Sequence, residues 1–414
     1  MPLGDDLWMD CAVLGFGRTL GSMISRRNLL SGLAATPSLF CAGERLKGAI
    51  IGSGGRGQFL TGEFREIGVE MAAVCDVYEG NLKKGLAVAN TGAKAYADYR
   101  KLLEDKSVEV VVVATPDHWH ARMVIDAVDA GKDVYVEKPL AHTIDEGFAI
   151  MDAVRRTGRI VQVGTQRRSF DLFLDAKKIY DSKVCGDVKL VSSSWFNYQS
   201  SLRDAKLEGS VDWKQWLGSS PTRELDAQRF FNWYYYWDYS GGLLIGQAAH
   251  IIDAIHWFLG SDAPVAVTCA GGRPNLAGAE VPETASLTVE YADNTLVNFV
   301  IGYKAMRYSG TTDQIKQFHG SKARFDVSRE GYALYPESPR DTVMKPTIQE
   351  SRPGSFNSAT RQHIRNFLDA VKTRKQPSAP PVASQGTNIV LCMAMQSLRE
   401  GRRLRWDATT KKVS

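Results

Sequence analysis

The chain has 414 residues, of which 44% are hydrophobic and 23% charged, a globular composition that excludes a disordered or collagen-like chain. Its 51 Lys and Arg against 46 Asp and Glu leave a net charge of +5, too small and too dispersed to imply nucleic acid, and no uninterrupted apolar run reaches the ~18–20 residues that span a bilayer. Cys11, Cys41, Cys75, Cys185, Cys269 and Cys392 lie far apart without a CxxC pair, so they read as mostly buried thiols, neither a zinc-ligand set nor a dense disulfide framework.

The chain opens on an address. Ser25-Arg26-Arg27-Asn28-Leu29-Leu30 puts twin arginines directly before a modestly apolar stretch, Leu29 to Ala42, a layout that resembles the bacterial twin-arginine (Tat) export signals. The resemblance implies a signal over residues 1–42, carriage by the Tat machinery and a periplasmic location. Phe40 stands where a lipoprotein site before Cys41 needs a small residue, which leaves cleavage near Ala42. Met23 as initiator would give the short basic leader such signals have, with residues 1–22 an over-extended start. Tat signals carry folded proteins, often with a cofactor already in place.

Leu46-Lys47-Gly48-Ala49-Ile50-Ile51 reads as a strand running into Gly52-Ser53-Gly54-Gly55-Arg56-Gly57, with an amphipathic helix from near Gln58. Gly52 permits the tight turn, Gly54 lets the backbone approach a pyrophosphate, and Gly57 lets the helix pack on the strand while its N-terminal N–H groups face the anion. A second strand, Val69–Val77, carries Asp76, where a carboxylate accepts hydrogen bonds from an adenosine ribose and repels a ribose phosphate. That favours NAD; Lys83 and Lys84 keep NADP as the alternative. A helix around Tyr99–Leu103, a strand Val108–Ala114, a helix Ala121–Ala130 and a strand Asp133–Glu137 follow. The expectation is an α/β protein whose first domain, residues 43–170, is a Rossmann-type, doubly wound parallel sheet. Ligands of such sheets sit at the carboxyl ends of strands, where Thr115-Pro116-Asp117-His118-Trp119-His120 and Glu137-Lys138-Pro139 stand.

The glycine turn and these two segments together are similar to the Gfo/Idh/MocA oxidoreductases, named for glucose-fructose oxidoreductase and inositol dehydrogenase. The likeness covers nearly everything after residue 44, taking in Gly164-Thr165-Gln166-Arg167-Arg168, Gly241-Gly242, His250 and a late helix, residues 358–372, that in the family returns to the first domain. It implies a dinucleotide held by Gly52, Ser53, Gly54, Arg56, Gly57, Asp76, Thr115, Pro116, His118, His120, Glu137, Lys138 and Gln166. It also implies Lys138 beside the nicotinamide and the reacting hydroxyl, His250 as proton acceptor or donor, and a homo-oligomer, dimer or tetramer.

Chemistry argues for the same pair. Oxidising an alcohol needs a base for the hydroxyl proton, and a neighbouring cation favours the developing alkoxide. A Lys at a strand end above the cofactor supplies that cation. His250 opens an apolar helical stretch, Ile251 to Leu259, with Asp253 at i+3 placed to orient the imidazole, while His256 reads as packing. His118 and His120 have the alternating spacing of metal ligands, but without a third ligand no metal is expected, and a cofactor or substrate contact is the reading. One departure stands out: many family members carry Asp or Glu four residues before the catalytic His, where this chain has Gly246 followed by Gln247. Either Gln247, Asp238 or Asp253 supports His250, or Lys138 takes a larger share of proton transfer; a non-catalytic NAD-binding protein is the competing class.

From about Asp187 the pattern turns β-rich, over 188–198, 265–270, 285–291, 295–303 and 323–327. The second domain, residues 171–414, is therefore expected to be α+β, with a large mixed or mostly antiparallel sheet packed on helices on one face and free for oligomer contact on the other. Residues 336–355 and 376–384 read as loops. Asn232-Trp233-Tyr234-Tyr235-Tyr236-Trp237-Asp238-Tyr239, with Trp195, Trp213 and Trp216 nearby in sequence, suits a carbohydrate, because aromatic faces stack on C–H faces while polar edges take hydroxyls; a subunit interface or a core wedge is the alternative. Trp119, Arg167, Tyr236, Asp238, Gln247 and Asp253 are the candidate substrate contacts.

An exported enzyme has no ready pool of free NAD. A cofactor carried across with the folded chain, tightly bound, has to be regenerated within the site, which favours a redox-neutral cycle on a sugar or glycoside. The resemblance offers coupled oxidation and reduction of two sugars, or NAD-dependent glycoside hydrolysis by C3 oxidation, elimination, hydration and re-reduction.

Overall fold

A computed structural model describes residues 45–204, 206–261, 263–341 and 343–414; the twin-arginine segment lies outside them. The first sheet is built from β1 (Lys47–Ile51), β2 (Glu70–Cys75), β3 (Lys94–Tyr96), β4 (Val110–Val113), β5 (Asp133–Val136) and β6 (Val161–Val163). All are parallel, in the order β3-β2-β1-β4-β5-β6. The strand order reverses between β1 and β4, so the crevice at their carboxyl ends is the natural ligand position. Four-residue runs such as Val110–Val113 are buried throughout, as a sheet covered on both faces requires.

The covering helices are α1 (Gly55–Glu66), α2 (Glu79–Val88), α3 (Tyr99–Leu103), α4 (His120–Asp129) and α5 (Ile144–Thr157). The first starts at Gly55, three residues earlier than its apolar periodicity indicates, because the extended Gly54 already caps it. The pair α2 and β3 escapes sequence reading for a physical reason: α2 buries only Gly85 fully, and β3 is a three-residue edge strand open to solvent. Thr143 and Glu146 form a capping box at the start of α5, and Gly158 closes the helix in the left-handed region.

The second sheet has ten strands: β7 (Val188–Phe196), β8 (Ala266–Gly271), β9 (Thr284–Glu290), β10 (Leu296–Gly302), β11 (Lys316–Gly320), β12 (Ala323–Val327), β13 (Gly331–Pro336), β14 (Ile348–Ser351), β15 (Leu404–Asp407) and β16 (Lys412–Val413). Their order is β14-β13-β12-β11-β7-β10-β9-β8-β15-β16, and every pairing is antiparallel except β7 with β10. Two expected loops are partly regular: β14 lies within 336–355, and Pro381 opens α11 (Pro381–Glu400). A proline at the first helical position ends a loop instead of extending it.

Helices α6 (Asp171–Asp181), α9 (Gly242–Leu259) and α11 bury their apolar residues against this sheet in one core. The 18-residue α9 is the one helix among the described residues long and apolar enough to cross a membrane, with mean hydropathy 1.2, yet 78% of it is buried inside the protein, as a core helix is. The late helix α10 (Ala359–Thr373) packs on the first sheet: Ile364 and Phe367 join Leu60, Phe64 and Tyr135, and Arg361 and Arg374 pair with Glu63 and Asp133. Two short helices, α7 (Trp213–Leu217) and α8 (Ala227–Phe231), lie before α9.

Candidate active site

A cavity of ≈ 390 Å³ opens at the switch point, lined by Gly52, Gly54, Gly55, Asp76, Thr115, Pro116 and Trp119. Its geometry fits a dinucleotide. A Cβ at Gly57 would overlap the Gly52 carbonyl oxygen, and one at Gly52 would stand 2.8 Å from the Ala114 backbone, so both turns need glycine; around Gly54, by contrast, the nearest atom is 3.8 Å away. The backbone is thus bare where a pyrophosphate has to approach and tight where the turn closes. Among the described residues, buried oxygens of Thr115, Thr165 and Gln166 at the strand ends have no partner, which leaves polar atoms for the nicotinamide end.

Asp76 accepts from the Ser53 N–H at 2.8 Å and the Tyr78 N–H at 2.9 Å. Burial nonetheless pushes its carboxyl up to about 6, with those two N–H groups pulling against it. Ser53 itself is buried behind the loop, its hydroxyl donating to the Asn81 carbonyl, so it supports the glycine turn. Lys84 faces the cavity, whereas Lys83 is on the surface, paired with Glu79 at 2.7 Å.

The far wall comes from the second domain. Trp216, Phe230, Phe231 and Trp233 line the cavity, and Tyr236 and Tyr239 are buried in the same aromatic cluster as Tyr78. Most of the aromatic density expected to hold a sugar therefore encloses the dinucleotide cleft. Trp119 belongs to this wall, its indole N–H donating to the Trp216 carbonyl at 2.7 Å. A strap, residues 206–212, crosses the opening and is stapled down: the Glu208 N–H donates to the Tyr78 hydroxyl, the Ser210 N–H to Glu79, and the Asp212 N–H to the Val77 carbonyl.

At the end of β5, Glu137 is buried and pairs with Arg56 at 2.6 Å; burial works against its charge, but Arg56 and Lys138 together hold it below the usual carboxylate range. The expected dinucleotide contacts Arg56 and Glu137 thus form a strut under the glycine loop. Lys138 is half-buried, and desolvation, with Arg56 and Arg167 adding to it, lowers its ammonium despite Glu137 and Asp117. Its Nζ lies 5.9 Å from the centroid of the Tyr234 ring. His250, on α9, is held neutral by burial and then by the cations Arg167 and Lys138. Its Nδ1 is buried with no partner among the described residues, and its ring lies 6.2 Å from that of Trp195.

Several expected contacts are corrected. His120 sits between the carbonyls of Pro139 and Thr115, at 2.7 and 3.0 Å, and His118 faces the Trp216 carbonyl at 3.2 Å; both are buried braces outside the lining of the cleft. Arg167, by contrast, is buried among Phe173, Trp195 and Phe356 with a bond to Gln314, but its Nε and Nη1 have no partner among the described residues and its charge acts on His250 and Lys138. Asp253 is taken by Arg168 at 2.9 Å, Asp238 by Arg223 at 2.7 Å, and Gln247 donates to the Tyr303 hydroxyl at 2.8 Å. None of the three supports His250, and Tyr236 lies under Arg229.

Two residues were missed. Asp117 is buried, accepts from the Ser240 hydroxyl at 2.6 Å and exerts its charge on Lys138; burial raises its carboxyl. Its place in the strand-end segment was the available signal. Tyr234 faces Lys138, and nothing in its sequence neighbourhood separates it from the aromatic residues on either side.

Comparison with known proteins agrees with this arrangement. Residues 46–165 match the NAD-binding Rossmann-fold model of the Gfo/Idh/MocA oxidoreductase family, and residues 217–405 match the family's C-terminal alpha/beta domain. Inositol 2-dehydrogenase of Salmonella typhimurium is 37% identical over 131 residues, 31% of this chain and 39% of that protein. Glycosyl hydrolase family 109 protein 1 of Shewanella sp. is 32% identical over 123 residues, 28% of this chain and 27% of that protein. The match thus spans well under half the length of these curated relatives. Levoglucosan dehydrogenase, solved in complex with NADH and levoglucosan, shares the fold with a TM-score of 0.69 at 16% identity, over 87% of this chain and 99% of its own.

Proposed function

The chain belongs to the Gfo/Idh/MocA oxidoreductase family, and we propose that it oxidises a hydroxyl group of a sugar or glycoside while keeping its NAD bound from one cycle to the next. The observation that carries this is Lys138, just past the carboxyl end of β5 in the dinucleotide-binding sheet, with its charge reaching a neutral, partly open His250 on α9. The nicotinamide, when bound, takes the carbon-bound hydrogen as hydride. Everything else falls to the protein. Lys138 stands where a cation stabilises the developing alkoxide, and His250, deprotonated at neutral pH, is free to take the hydroxyl proton.

Retention of the cofactor is supported by the strap pinned over the cleft at Val77, Tyr78 and Glu79, and NAD over NADP by Asp76 at the cavity edge. A redox-neutral cycle follows from export, which rests on Arg26-Arg27 and is checked by fractionating cells that carry Arg26→Lys with Arg27→Lys. A dimer or tetramer formed through the second sheet completes the proposal. The second reading, glycoside hydrolysis through transient C3 oxidation, is favoured by the similarity to the family 109 protein.

The test is to purify the chain without its leader, denature it with no cofactor added and quantify the NAD(H) released. Near one equivalent per chain is expected. Little or none, with weak rebinding, would overturn retention and with it the redox-neutral cycle. Replacing Lys138 or His250 by Ala should abolish reduction of the cofactor by substrate while NADH binding persists; unchanged turnover would remove both residues from the chemistry, and unchanged biological function in the Lys138→Ala protein would point to the non-catalytic class.

A further inference from the structure

Gly246 lies one helical turn before His250 on α9, so both positions share a face. A Cβ at Gly246 would overlap the Tyr234 hydroxyl oxygen and stand 2.8 Å from the Tyr234 Cε2. Glycine is required there because the phenol already fills the space a side chain would take. The ring of the same Tyr234 faces Lys138 Nζ at 5.9 Å. Helical side chains lean toward the N-terminus of their helix, which directs the His250 imidazole along the face that the phenol occupies. The His250 Nδ1 is buried with no hydrogen-bond partner among the described residues. Lys138 thus stands over the Tyr234 ring, and the Tyr234 hydroxyl stands against Gly246, one helical turn from His250.

We propose that the Tyr234 hydroxyl is the third group of this acid–base set, a hydrogen-bond donor to the oxygen of the reacting hydroxyl as that oxygen gains alkoxide character. The proposal deepens the oxidoreductase reading and rests on it. The proton balance is simple: the substrate O–H bond breaks, an N–H bond forms on His250, and the phenol keeps its own proton while donating it to the substrate oxygen. A phenol does this work only while neutral. Burial and the neighbouring Asp117, Tyr303 and Tyr235 all raise its ionisation well above the usual value, with Lys138 the cation across the ring and His250 the titratable group on α9. It therefore donates throughout the neutral range, where a carboxylate at position 246 would instead have been an acceptor.

The experiment measures single-turnover reduction of bound NAD by a panel of myo-inositol, levoglucosan and the methyl glucosides. It compares the intact enzyme, Tyr234→Phe, and protein carrying 3,5-difluorotyrosine at position 234. Tyr234→Phe keeps the ring beside Gly246 and should slow reduction by about 10²–10³-fold, the cost of one oxyanion donor, with the melting temperature and NADH affinity unchanged. The difluoro protein should stay active, with the alkaline fall of its rate moved to lower pH because the more acidic phenol ionises sooner. Full activity in Tyr234→Phe, or an unmoved alkaline limb in the difluoro protein, overturns this role for Tyr234 and leaves the oxidoreductase reading intact. No reduction by any substrate in the intact enzyme would overturn that reading, and this proposal with it.

Discussion

Asp76 makes the dinucleotide assignment testable without knowing the substrate. Its carboxyl titrates near about 6 in the free protein, because burial outweighs the two backbone N–H donors. A ribose that donates hydrogen bonds to it stabilises the charged form and returns its value toward the ordinary 3.8. The sign is then fixed: the free protein holds a proton that the complex releases, so affinity rises with pH across this window. At pH 5 only about one free-protein carboxyl in eleven is ionised, against nearly all in the complex, and the dissociation constant should be about tenfold weaker than at pH 7.5, or ~1.4 kcal/mol. Fluorescence titration of NADH at several pH values between these measures it directly. Asp76→Asn, which cannot ionise, should bind more weakly at pH 7.5 and lose the slope. A flat profile for the unaltered protein, or a slope that survives in Asp76→Asn, would refute the contact between this carboxylate and the ribose.

Three further outcomes follow from the same geometry. Gly57→Ala drives a methyl into the Gly52 carbonyl, backbone against backbone, and should cost about 1–3 kcal/mol of stability in denaturant melts together with most of the NADH affinity. Asp253→Ala strips the partner from Arg168, whose side chain is 8% exposed; a loss of about 3–5 kcal/mol is expected, with the pH dependence of substrate oxidation unmoved because Asp253 does not serve His250. Glu79→Ala removes the carboxylate that accepts from the Ser210 N–H and hydroxyl. It should speed NADH release in stopped-flow displacement several-fold and leave the association rate unchanged, whereas an unchanged release rate would show that the strap does not gate the cleft.

What the sequence made legible was governed by how local the signal is. The glycine turn, Asp76 and the strand-end segments work through backbone geometry within a few residues, and they land where the sheet's switch point puts them. Which of residues 232–239 would meet a ligand was not legible, for the opposite reason. Eight consecutive aromatic and polar residues carry no internal register, so nothing in them says which side chain meets which neighbour. A single 3₁₀ turn, Trp233–Tyr235, decides it, sending Trp233 to the dinucleotide cleft, Tyr235 to Gln199 and Tyr234 to Lys138. The same blindness affected Asp253, whose helical spacing to His250 was right but whose charge is claimed by Arg168, 85 positions away in sequence. Gly246 was visible as an anomaly and open to a reading of weakened chemistry. The fold gives the anomaly a physical reason: a missing side chain on one element is the space occupied by the Tyr234 hydroxyl from another.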